Sequence, residues 1–132
     1  MKIEKAKHYT QFTKEESDII VAALMSMQRP RFSKHALVEC FKERINPKRI
    51  TTLPSNGEVV EFRYVVDEHK ISTRVLIRAR GNGKVPCAVF SLNDGTVVTV
   101  FSTDSDYTPG LGKFTYEDFS VIDILRQYGR QW

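Results

Sequence analysis

"EVVEFRYVVDEHKISTRVLIRARGNGKVPCAVFSLNDGTVVTVF", residues Glu58–Phe101, is the stretch that decides the fold. Four runs inside it, EVVEFRYVV, TRVLIRAR, CAVFSL and TVVTVF, are rich in β-branched and aromatic residues and repeat with period two. DEHK, GNGK and NDG separate them, and each is turn chemistry. Strands joined by turns this short run antiparallel, because parallel neighbours need long crossovers. The stretch therefore predicts a four-stranded antiparallel meander.

Upstream of it the period is helical. Residues 1–12 are polar without a clear period and read as an arm, at most partly ordered. Thr13 with Glu16 three residues on forms a capping box, and Ile19, Ile20, Ala23, Leu24 and Met27 supply one buried face before Pro30 ends the helix. Ser33 is the N-cap of a second helix reaching about Ile45, with Leu37, Cys40, Phe41 and Ile45 as its core stripe and Pro47 closing it. Downstream, STDSDYTPGLG is a loop of about eleven residues, long enough to be functional. TYEDFSVIDILRQYG predicts a C-terminal helix capped by Thr115 that buries Phe119, Ile122 and Leu125. The chain is expected to be one α+β domain over 1–132: two N-terminal helices, a four-stranded antiparallel meander and a C-terminal helix.

Composition excludes several classes. At 132 residues, with 41% hydrophobic and 27% charged, the chain has the values of one globular domain. It has no apolar run long enough to cross a membrane and no secretory leader, which predicts a cytoplasmic protein. Cys40 and Cys87 stand at no metal-ligand spacing and read as reduced, buried thiols. No phosphate-binding, dinucleotide or metalloprotease motif occurs, and the carboxylates form no cluster for two metals, so no cofactor or metal is expected. The net charge of +4 is mild, and informative only if the positive residues share one face.

TRVLIRAR offers such a face. Alternation places Arg74, Leu76, Arg78 and Arg80 on one side of the strand and Val75, Ile77 and Ala79 on the other. The arginines then stand about 6.6 Å apart, a spacing of guanidinium forks suited to phosphate oxygens. Arg63 on the neighbouring strand, Lys84 and Tyr107 in the long loop extend this into a nucleic-acid-binding set. The competing reading is a solvated face partnered by Glu58, Glu61 and Asp67. His35 lies off its helix's core stripe, about 40° around from Glu39. His8 and His69 sit in the arm and in a turn. Thr99 offers a hydroxyl on the last strand, although simple alternation puts it with Val97 and Phe101 on the buried side.

Five segments together, S-x-H-A at Ser33–Ala36, E-R-I at Glu43–Ile45, G-E-V-V-E at Gly57–Glu61, R-V-L-I-R at Arg74–Arg78 and V-V-T-V-F at Val97–Phe101, resemble a family of small bacterial and phage domains. That family is grouped with the barnase–EndoU–colicin–RelE ribonuclease superfold, and the resemblance covers about residues 31–108. It implies a metal-independent, toxin-like ribonuclease with His35, Arg78, Arg74 and Thr99 as its catalytic set. RNA would be cut by its own 2′-hydroxyl, with His35 as acid or base and the arginines stabilising the phosphate. The implied partners are RNA or another nucleic acid, and a host or immunity protein. The chain departs from the family pattern at Glu39, where a basic residue is common. Two other classes fit the same residues: a non-catalytic regulator that binds nucleic acid or a host protein through the basic sheet face, and a structural protein whose core serves no chemistry.

Overall fold

The computed structural model describes residues 2–8, 11–27, 31–68, 70–106 and 118–128. Strand β1 (Lys2–His8) leads into helix α1 (Lys14–Ser26), then α2 (Lys34–Glu43), two short helices α3 (Pro47–Thr51) and α4 (Leu53–Asn56), and strands β2 (Glu58–Asp67), β3 (Lys70–Arg78), β4 (Lys84–Ser91) and β5 (Val97–Asp104). Helix α5 (Val121–Tyr128) follows. The class is α+β, and the sheet has five strands in the order β1-β2-β3-β4-β5, every neighbouring pair antiparallel.

The meander is as its turns predict. The fifth strand corrects the reading of residues 1–12 as an arm: Lys2–His8 pairs along its whole length with Asp67–Glu61. Its apolar signal is weak because Lys7, not an apolar residue, points to the helix side. Lys7 is only 3% exposed, and its ammonium donates to both oxygens of Glu16, at 2.9 and 2.8 Å. A buried charge is tolerated only when paired in this way. Glu16 is also the capping-box carboxylate of α1, accepting from the Thr13 amide at 3.0 Å, and it takes the Val121 amide at the start of α5 at 2.7 Å. One carboxylate thus joins β1, α1 and α5.

The five helices lie on one face. Ile20, Ala23 and Leu24 of α1, Ala36 and Cys40 of α2, Ile50 and Leu53 of the short helices and Val121 and Leu125 of α5 cover Phe62, Val75, Ile77, Ala88, Phe90 and Val100 of the sheet. Pro47, read as a helix stop, instead opens the first of two short helices, α3 and α4. Asn46 caps the Lys48 amide, and Pro47 and Pro54 occupy first-turn positions, where a missing N–H costs nothing. Helix α5 begins later than its pattern suggests. It buries Val121, Ile124 and Leu125, while Phe119 precedes it and packs edge-on against Tyr64 at 5.5 Å between centroids. The proposed cap Thr115 lies outside the described residues.

The α2 stripe is the main correction. Ala36 and Cys40 are buried, whereas Leu37 is 47% and Phe41 88% exposed. The helix is turned by about one residue from the orientation its largest apolar side chains would choose. The cause is polar. The segment before α2 pairs with the outer edge of β5: Val97 N–H donates to Arg31 O at 2.7 Å, Ser33 N–H to Val97 O at 2.9 Å, and Ser33 Oγ to Val98 O at 3.1 Å. Nearly two helical turns on, the Val100 N–H donates to Glu39 Oε1 at 3.0 Å. These bonds hold the helix rotation, and small Ala36 and Cys40 let the helix sit close to the strand.

Candidate functional site

The residues expected to form a catalytic centre are divided between two places. On the sheet face opposite the helices, strand register aligns Arg78 with Cys87 and Phe101, and Leu76 with Val89 and Thr99. Thr99 therefore shares the arginine face, contrary to simple alternation. A register shift between Val89 and Phe90 leaves Val98 as an extra residue, so Val97 turns into the core and Thr99 turns outward. Arg74 also lies on this face, opposite Arg63 of β2 and Ser91 of β4.

His35 is elsewhere. Its Nε2 lies 3.0 Å from Glu39 Oε1, and its side chain is 69% exposed. Helix α2 sits at the outer edge of β5, while Arg74 and Arg78 are on β3, two strand spacings or about 10 Å further in. A base and an anion clamp acting on one phosphate need contacts near 3 Å from both sides. His35 and Arg78 each engage a carboxylate of their own, Glu39 and Glu58.

Nor is the sheet face an open row of guanidinium groups. Arg78 Nη2 is 2.7 Å from Glu58 Oε2 with only 11% of its side chain exposed. It lies over an apolar patch of Val60, Leu76 and Cys87, flanked by Val89 and Phe101. Burial pushes the Cys87 thiol up to about 12, against the opposing pull of Arg78, so this sulfur is no nucleophile at neutral pH. Strand β3 ends at Arg78, the alternation lapses, and Arg80 instead lines a cleft of about 600 Å³ between α1 and α4, together with Lys14, Asp18 and Glu58. Lys84 pairs with Asp104 across β4 and β5 at 3.1 Å. Tyr107 and His69 lie outside the described residues, as does most of the long loop. Among the described residues, no group of three or more His, Cys, Asp or Glu side chains is placed to hold a metal ion, and no helix is long and apolar enough to cross a membrane.

The positive charge gathers on the helices instead. Residues 31–51 hold six lysines and arginines (Arg31, Lys34, Lys42, Arg44, Lys48 and Arg49) against two carboxylates, Glu39 and Glu43. That surplus of four equals the net charge of the entire chain, so the other residues sum to zero. All six basic side chains are exposed, and Lys34, Lys42, Arg44, Lys48 and Arg49 form no ion pair with a described carboxylate. Glu39 is turned inward to Val100 and His35 and so neutralises little of this surface. In the middle stand Leu37, Val38 and Phe41, three of the five large apolar side chains exposed among the described residues. The charge surplus is visible by counting along the chain. The exposure of the apolar trio is not, since it depends on how α2 is rotated.

No protein-family model, curated protein or solved structure matches the chain.

Proposed function

We propose that this chain is a non-catalytic binding domain that receives an anionic macromolecular partner on the outer surface of α2 and α3. The observation that carries it is a surplus of four positive charges in residues 31–51, equal to the net charge of the chain, on exposed side chains of which five form no ion pair with a described carboxylate. Such a surface attracts polyanions at long range and releases them as salt rises. Single-stranded RNA and polyglutamate are the simplest probes, titrated by fluorescence anisotropy. If three phosphates are neutralised, the affinity for RNA should fall on the order of twentyfold between 50 and 200 mM salt. The double variant Lys42→Glu/Arg49→Glu should remove most binding, and Arg63→Ala/Arg74→Ala should leave it nearly intact. The reverse pattern would move the site to the sheet face and end this reading.

A metal-independent ribonuclease is a second reading, favoured by the bulge that turns Thr99 onto the arginine face and by the His35–Glu39 pair. Against it stand the separation of His35 from β3 and the ion pair that engages Arg78. Labelled RNA incubated with the protein in EDTA is expected to stay intact. Cleavage that disappears in both His35→Ala and Arg78→Ala would establish the enzyme and displace the binding reading.

A further inference from the structure

We propose that the partner on α2 is an acidic amphipathic helix of another protein, lying along the Leu37–Phe41 ridge. This rests on the binding reading above and narrows it to one class of partner.

Three features of the surface select that partner. Leu37 and Phe41 are four residues apart on one helix, so their side chains are neighbours along the axis, with Val38 beside them. An apolar ridge along a helix is the shape another helix packs against. At its C-terminal end lies a mostly apolar notch of about 530 Å³ between α2 and α3, walled by Leu37, Phe41, Ile45 and Pro47 with Cys40 at its base. It forms where Arg44 takes a left-handed conformation, φ 57°, and lets the chain turn from α2 into α3. A notch of this size has room for a bulky anchor side chain of a partner.

The rim supplies the sign of charge. Lys34 and Lys42 lie on the same helix as the ridge, Arg44 lines the notch, and Lys48 and Arg49 follow it on α3, all exposed. An apolar centre with a charged rim is the general anatomy of a protein interface. The same rim rejects a second copy of this chain, because a two-fold contact would oppose like charges. Nucleic acid would use the rim and stack on Phe41 alone, since Leu37 and Val38 can neither stack on bases nor contact phosphates favourably, whereas a helix packs against all three.

The surface is also held ready. Helix α2 is fixed at both its start and its middle by bonds to the β5 backbone, so a partner need not order it. Val38 and Phe41 stand outside the core cluster, so replacing the 88% exposed Phe41 is expected to leave the fold intact.

The test uses the full chain and four fluorescent probes: a peptide with leucines at helical i, i+3, i+4, i+7 spacing and glutamates elsewhere, a scramble of that peptide, polyglutamate, and single-stranded RNA. The helical peptide is expected to bind at least tenfold tighter than its scramble. Phe41→Ser should weaken it about thirtyfold while leaving the thermal midpoint unchanged, as an interface anchor does. Its effect on polyglutamate should be less than twofold. Equal binding of peptide and scramble, or a Phe41→Ser variant that binds the peptide normally, overturns the helix proposal. If RNA or polyglutamate still binds in a salt-sensitive manner in that case, the anionic-partner reading survives alone. If none of the four probes binds, both fall.

Discussion

Replacing Glu16 by alanine is expected to cost about 3–5 kcal/mol, the usual effect of removing one partner of a buried ion pair. Against the 5–15 kcal/mol that stabilises a domain of this kind, that leaves the chain close to unfolding. The loss is large because three separate debts fall due together. The Lys7 ammonium, 3% exposed, keeps only Asp118 at 3.3 Å and the carbonyl of Phe119. The amides of Thr13 and Val121 lose their acceptor as well. A hydrophobic replacement of both charges, Lys7→Met/Glu16→Leu, is often neutral for a simple buried pair. Here it should recover only part of the loss, because the buried Val121 amide remains unsatisfied. Urea titrations of the wild type, the single variant and the double variant measure each step.

The same carboxylate gives the fold an acid limit. Burial pushes the Glu16 carboxyl up, but Lys7 and the Thr13 and Val121 amides outweigh it and hold it below its ordinary 4.5. The native state therefore binds its proton less readily than the unfolded chain. The stability this contributes is fully present above pH 4.5 and is lost as pH falls towards and through the native value. In Glu16→Gln this part of the pH dependence should vanish. A variant whose unfolding free energy fell with acid as steeply as the wild type's would refute the assignment.

Gly57→Ala is the second large effect. An added Cβ would stand 2.7 Å from Ile77 Cγ2, 2.8 Å from Arg78 O and 2.8 Å from Leu53 O. Two of these are main-chain atoms, and Leu53 O already accepts the Gly57 N–H at 2.7 Å, so neither withdraws without breaking the junction of α4 with β2. With φ −96° and ψ −169°, Gly57 is ordinary extended backbone, and the penalty is purely steric. A cost of about 3 kcal/mol is expected, at the upper end for overpacking, as a lower denaturation midpoint with an unchanged slope. Gly83→Ala is the contrast. Nothing lies within 4 Å of its Cβ and only its φ of +71° resists, so about 1 kcal/mol is expected.

The parts of the fold legible in the sequence are those set by neighbours along the chain. The meander follows from period-two runs and short turns, and Thr13 with Glu16 announces the start of α1. What escaped depends on partners far away. β1 has a lysine facing inward, and only Glu16 makes that tolerable. The rotation of α2 opposes its own apolar pattern because the bonds of Ser33 and Glu39 to β5 outweigh the burial of Leu37 and Phe41. The outward turn of Thr99 needs the extra residue Val98, which no local propensity marks. Of the proposed site, the basic surplus between Arg31 and Thr51 is a matter of counting, but its apolar centre required the helix orientation.

Helix α2 grips the sheet through main-chain atoms of Val97, Val98 and Val100, with Ser33 and Glu39 as its own polar hooks. With Ala36 and Cys40 packed against the buried side chains of β5, that grip does not involve the side chains α2 shows to solvent. The outward positions 34, 37, 38, 41 and 42 form a cassette. They can be rewritten for a different partner without changing how the helix is seated, which makes this small domain a natural scaffold for displaying a chosen helical epitope.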